Sequence, residues 1–160
     1  MQRRFLKRLT NCNILSTAQC GFRLELRTGN ATYKLTTEIL NAVNDELLVG
    51  GIFCDLEKAF HCINHDNLLS KLIYRISDKD LQLYHSYLGN RYCKTAIYND
   101  SENRTKVSNW TRVRHGVPQG SILGPLLFLL YVNHLPKIIT SAPIIFADDT
   151  SILFAHSNRS

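Results

Sequence analysis

Acids are scarce in this 160-residue sequence: Asp and Glu number 13 against 19 Lys and Arg, and the net charge is +6. The shortfall favours acidic partners, nucleic acid among them. Paired cysteines are missing as well. The 5 cysteines (Cys12, Cys20, Cys54, Cys62 and Cys93) form no C-x-x-C pair. An odd count without such pairs reads as reduced thiols rather than a disulfide framework. Cys54, His61, Cys62 and His65 lie close in sequence but fit no common zinc-finger spacing. No apolar run is long enough to span a bilayer, and the longest, Ile122 to Val132, contains Gly124 and Pro125. Met1 to Leu9 is basic and lacks the apolar core of an export signal, so an intracellular location, nucleus or cytoplasm, is expected rather than secretion. There is no internal repeat and no low-complexity tract. The glycine loop Gly116-Val117-Pro118-Gln119-Gly120-Ser121 is not followed by the lysine of a Walker loop.

What is present is ordinary globular composition, 44% hydrophobic and 20% charged. A chain of this size is one domain, or a piece of a larger one, and can bury a core without disulfides or structural metal. The basic excess is uneven. Arg3, Arg4, Lys7, Arg8, Arg23 and Arg27 face Glu25 alone in the first 27 residues. Arg91, Lys94, Arg104, Lys106, Arg112 and Arg114 face Asp100 and Glu102 in a second stretch. Basic flanks around acidic residues suit a polyanionic substrate that needs metal ions; solvated surface is the plain alternative.

Periodicity outlines the elements. Ala31 to Leu48 reads as a helix with Leu35, Ile39, Ala42, Val43 and Leu47 at helical spacing, broken by Gly50-Gly51. Ile52 to Cys54 reads as a short buried strand ending at Asp55. Asn64 caps a helix carrying Leu68, Leu69, Leu72, Ile73 and Ile76; Ser77 caps another with Leu81, Tyr84 and Leu88 inward and Gly89-Asn90 as its stop. Tyr92 to Tyr98 and Thr105 to Val113 form a hairpin. Ile122 to Val132 is apolar all round and reads as a buried helix. Ile144 to Ala147 and Ile152 to Ala155 are strands around a polar centre, Asp148 to Ser151. The mixture of helices and antiparallel hairpins is α+β.

Asp148-Asp149 is the sharpest chemical signal. Two adjacent acids between apolar strands repel each other and resist desolvation, and a divalent cation relieves both. A solvated turn is the simpler alternative. Asp55 stands at the end of another strand. If the strands are neighbours in one sheet, three carboxylates converge, a cluster able to hold two Mg²⁺ for in-line phosphoryl transfer. The loop from Gly116 to Gly120 permits close backbone approach to a ligand, and Gln119 offers both donor and acceptor. His65-Asp66 alone hints at a metal-dependent phosphohydrolase, without further spaced ligands to support it.

Four segments, in order, resemble the reverse transcriptases of non-LTR, jockey-like retrotransposons. Gln19-Cys20-Gly21-Phe22-Arg23 is similar to their Q-x-G-F-R segment. Ile52 to Phe60 resembles motif A, Gly116 to Pro125 motif B, and Phe146-Ala147-Asp148-Asp149 the F/Y-x-D-D box of motif C. The resemblance covers about residues 10–156. It implies a polymerase palm, an antiparallel sheet with helices packed on one face, over residues 49–160. A partial fingers or palm segment is implied over 1–48. It implies RNA-directed DNA polymerase chemistry with an RNA template, a DNA primer and dNTPs, and two Mg²⁺, or Mn²⁺, held by Asp55, Asp148 and Asp149. Leu56, Phe60, Gly116, Pro118, Gln119 and Gly120 match substrate-side positions, with Phe60 set against a ribose 2′-OH. No membrane partner is implied.

One departure is local: His61 stands where the family usually has Asp after Ala59-Phe60. The family's upstream finger segments and later palm and thumb are not matched, so the chain is expected to be a fragment ending soon after motif C. Two readings follow, a polymerase palm and a catalytically inactive remnant that at most binds nucleic acid.

Overall fold

The computed structural model describes residues 2–73, 76–101 and 103–157. The chain forms two compact units, Met1–Phe60 with Pro118–Ser160, and His61–Val117.

The first unit is built on a three-stranded antiparallel sheet. Its strands are β1 (Leu47–Asp55), β6 (Pro143–Phe146) and β7 (Asp149–Ser157), in the order β1-β7-β6. The helices α1 (Gln2–Asn11), α2 (Thr28–Asn44), α5 (Gly124–Val132) and the single turn α6 (Leu135–Ile138) complete it. The basic N-terminal segment folds as α1 because Leu6 and Leu9, three apart on one helix face, both find a buried place. α2 packs on all three strands. It starts where Asn30 Oδ1 accepts the Arg27 N–H at 2.7 Å. It stops three residues short of Leu47, because Leu47 and Leu48 are taken up by pairing with Ser157 and His156.

β1 corrects the expectation of a short buried strand. It runs nine residues through Gly50-Gly51, and Ile52 and Phe53 are half or more exposed. The glycines end no element here, since β7 pairs with β1 along its whole length and cross-strand bonds override the weak propensity of glycine. α5 meets its expectation from Gly124 on, while Ile122, expected inside it, precedes the helix and is exposed. Leu126, Leu127, Phe128, Leu129 and Leu130 are all buried, each burial contributing about 1.5–3 kcal/mol. Pro125 sits in the first turn, where no backbone donor is lost. Ser121 Oγ accepts the Gly124 N–H at 3.0 Å and donates to Pro118 O at 2.6 Å, closing the loop onto the helix start. At the other end Asn133, buried, donates through Nδ2 to Ile14 O and accepts the Ser16 N–H, both at 2.8 Å.

The second unit pairs α3 (His65–Ile73) and α4 (Asp78–Leu88) with two short ladders. β2 (Arg91–Cys93) pairs with β5 (Thr111–Val113), and β3 (Ala96–Asn99) with β4 (Arg104–Val107), so the expected hairpin forms with an interruption in each arm. Asn64 Oδ1 accepts the Asn67 N–H at 2.9 Å, and Ser77 Oγ the Asp80 N–H at 3.4 Å, which are the two expected caps. Ile63, Leu68, Leu72, Tyr84 and Leu88 are buried. Burial, and then the Asp80 carboxylate, push the Tyr84 phenol above its ordinary pKa.

Candidate active site

Asp55 ends β1 and Asp149 opens β7, and the register sets them directly opposite each other. Opposed residues in an antiparallel ladder project to the same face with Cβ atoms about 4.5–5.5 Å apart, and like charges so placed destabilise the pair. Asp148 precedes Asp149 in a two-residue turn between β6 and β7, closed by the pairing of Phe146 with Asp149. The turn is thus Ala147-Asp148 rather than Asp148 to Ser151. Ala147 has φ +58 and Asp148 does not share the positive sign, the φ pattern of a type II′ turn, which ordinarily has glycine first.

Asp55 and Asp149 are exposed and Asp148 is half-buried. Among the described residues no cation pairs with any of the three. The ion pair of Lys58 with Glu57, at 3.1 Å, is exposed at both ends and contributes little. The donor set is carboxylate oxygen throughout, the hard chemistry that suits Mg²⁺. The acids are not closed into a cage: among the described residues no group of three or more His, Cys, Asp or Glu side chains is gathered for a metal ion. The donors thus suit the cation in kind, and the register brings two of them together.

The other expected residues fall in different surroundings. Leu56 is exposed. Phe60 is half-buried in an aromatic cluster, stacked on Phe128 at 4.8 Å between centroids and edge-on to Phe22 at 5.8 Å. Gly116 has φ +79, its N–H donates to Ile63 O at 2.7 Å, and its carbonyl lies 2.8 Å from His65 Nε2 and accepts from Arg91 at 3.2 Å. That contact gives His65 a structural task inside the second unit. Pro118 is half-buried, while Gln119 and Gly120 are exposed, Gly120 with φ +77 and open space where a Cβ would stand.

The structure adds features that motif reading passed over. Gln19 is buried against the turn that carries Asp148. Its only sequence signal is its place in Q-C-G-F-R. In the second unit a hollow of about 430 Å³ is lined by His65, His85, Arg112, Arg114 and His115 among others. On the same unit Tyr92, Tyr98 and Trp110 are exposed, and Lys94 Nζ lies 5.0 Å from the centre of the Trp110 ring.

A strand pair bearing opposed acids, a third acid at the adjoining turn and a helix packed on the sheet describe a palm-type polymerase fold. The comparisons agree. The sequence matches the family "Reverse transcriptase (RNA-dependent DNA polymerase)" over residues 1–159. The chain belongs to the reverse transcriptase family. It is 34% identical over 128 residues to the probable RNA-directed DNA polymerase from transposon BS of Drosophila melanogaster, covering 80% of this chain and 14% of that one. It is 29% identical over 159 residues to the RNA-directed DNA polymerase from mobile element jockey of the same species, covering 97% and 16%. The chain therefore spans about a sixth of the length of these relatives or less. Among solved structures, apo telomerase from Candida tropicalis matches with a TM-score of 0.60 at 16% identity, over 99% of this chain and 33% of that one. At that identity the likeness shows the fold alone. The family generally uses divalent metal ions and acts on nucleic acid template and primer. Among the described residues no helix is long and apolar enough to cross a membrane.

Proposed function

We propose that the chain carries the nucleotidyl-transfer site of an RNA-directed DNA polymerase, with residues 49–160 as palm and 1–48 as a partial fingers or palm segment. The reaction is attack of a primer 3′-OH on the α-phosphorus of a dNTP, with the bond to pyrophosphate breaking. The observation that carries this reading is the cross-strand pairing of Asp55 with Asp149 beside Asp148 at the turn. These three acids would hold the divalent cations, two Mg²⁺ or Mn²⁺, which when bound activate the hydroxyl and neutralise charge on the leaving phosphate.

The remaining roles follow from exposure and packing. Phe60, braced between Phe22 and Phe128, is a rigid ring suited to exclude a ribose 2′-OH. Leu56, Pro118, Gln119 and Gly120 would border the dNTP and template. Gln119 has no hydrogen-bond partner among the described residues, which leaves its amide free for a base or sugar. Exposed Tyr92, Tyr98 and Trp110 among Lys94 and Arg112 supply stacking and charge for the RNA template and DNA primer. Such substrates place the work inside the cell, in nucleus or cytoplasm.

A second reading, a non-catalytic chain that binds nucleic acid through these basic and aromatic surfaces, is favoured by one observation: the acids are not gathered into a three-ligand group among the described residues. Primer extension on poly(rA)/oligo(dT) with Mg²⁺ separates the two. Extension that falls by at least about a hundredfold in Asp148→Ala supports the polymerase, since the remaining site supplies positioning without charge stabilisation. No extension by either chain, with salt-sensitive retardation of RNA, supports the second reading.

A further inference from the structure

Gln19 stands 128 residues from the turn it touches. Its side chain is buried, and its amide makes three hydrogen bonds, two of them to Ala147. Oε1 accepts the N–H of Gly21 at 2.7 Å and the N–H of Ala147 at 3.1 Å, while Nε2 donates to the Ala147 carbonyl at 3.1 Å. The orientation is fixed by chemistry, because a flipped amide would set its NH₂ against two N–H donors. The residue it grips is in a conformation that it would not choose alone. Ala147 has φ +58, a left-handed backbone that favours glycine, and it is buried. Both ends of its backbone are held by one side chain, and the next residue is Asp148.

The neighbours of Gln19 bring it to the turn. Cys20 N–H donates to Ile145 O at 2.7 Å, and Ile145 N–H to Ala18 O at 2.9 Å, so residues 18–20 run beside β6 as a short parallel partner. Gly21 allows the approach: a Cβ there would collide with the backbone nitrogen of Ala147 and stand 2.9 Å from its Cα. Phe22 reaches the Phe60 ring, which follows the strand of Asp55. Arg23 folds the segment back on itself, donating to Ser16 O at 2.8 Å and Gln19 O at 3.4 Å. One short segment therefore touches the turn that carries Asp148 and the aromatic cluster that follows Asp55.

We infer that Gln19 is a positioning residue for the candidate site: its amide holds Ala147 at positive φ and so sets the aim of Asp148 and Asp149, with Gly21 making room. The inference rests on the reading of those acids as cation ligands. A glutamine that merely fills a polar hole in the core would act on stability without reference to the backbone of Ala147. A positioning glutamine is needed less when residue 147 can hold the positive φ unaided. Ala147→Gly supplies that backbone.

The test is a cycle of Gln19→Ala, Ala147→Gly and the double variant in this chain, with Asp148→Ala as reference. Mn²⁺ affinity is read by electron paramagnetic resonance and protection of the residue 147 amide by hydrogen exchange. Gln19→Ala is expected to weaken Mn²⁺ binding about tenfold, as loss of a group that orients metal ligands does, and to strip protection from the residue 147 amide. In the Ala147→Gly background the same change is expected to cost about threefold or less, because glycine adopts positive φ without help. Equal losses in both backgrounds overturn the inference, as does unchanged Mn²⁺ affinity in a folded Gln19→Ala chain. Should Gln19→Ala fail to fold, Gln19→Glu serves in its place. Its carboxylate keeps an acceptor for both N–H groups and removes the donor to the Ala147 carbonyl. Mn²⁺ binding that Asp148→Ala leaves intact overturns the reading of the acids and the positioning role with it. Amide protection lost in Gln19→Ala still reports the contact itself, so the two failures are told apart.

Discussion

The sheet of the first unit has two unlike edges. β6 is buried through Pro143, Ile144 and Ile145, and residues 18–20 hydrogen-bond along it. β1 has β7 on one side and no strand partner on the other among the described residues, and Ile52, Phe53 and Leu48 stand half or more in solvent. The turn carrying Asp148 hangs from the first edge, and Asp55 ends the second. One acid is thus held by a buried network and its counterpart by a single ladder. The contrast teaches where this site gets its rigidity: the turn is determined by long-range hydrogen bonds, while β1 is held by its ladder with β7 and by the packing of α2.

Paired substitutions sharpen that contrast. Phe128→Ala, at a fully buried ring stacked on Phe60, should cost about 3–5 kcal/mol in urea unfolding. Phe53→Ala, at a ring 67% exposed on β1, should stay within about 0.5 kcal/mol. Equal costs would show that β1 is packed against something in solution. Gly21→Ala drives a methyl into the Ala147 backbone and should cost about 1–3 kcal/mol. Gly50→Ala meets open space and should leave thermal stability unchanged or raise it by about 0.4–1 kcal/mol through the unfolded chain. A stabilising effect is expected at Thr150 as well. Its Oγ1 is buried without a hydrogen-bond partner among the described residues, so Thr150→Val should stabilise by about 1 kcal/mol. A loss there would mean that the hydroxyl has a solvent partner.

Much of this arrangement was legible in the sequence where the signal is local. The capping side chains Asn64 and Ser77 sit beside the helices they start. Ile122 to Val132 reads as buried because no face of it is polar, and α5 is buried from Leu126 to Leu130. The strands flanking Asp148-Asp149 announce themselves by apolar runs. Long-range features were not legible. Nothing in Leu47 to Gly51 marks a strand until β7 lies beside it. An alanine gives no turn signal, so the sequence centres the reversal on Asp148 to Ser151, whereas the structure turns at Ala147-Asp148. The grip of Gln19 on Ala147 joins residues 128 apart, and no periodicity can report it. The acids were visible as residues; their opposition across two strands is a property of register.

The most direct test of the account is Mn²⁺ binding to the unaltered chain, to Asp55→Asn and to Asp148→Asn, followed by electron paramagnetic resonance, with Glu57→Gln as control. If the acid closing β1 shares a cation with the doublet at the turn, both asparagine variants lose affinity by about tenfold or more and the control does not. Full affinity in Asp55→Asn, with loss confined to Asp148→Asn, would contradict it.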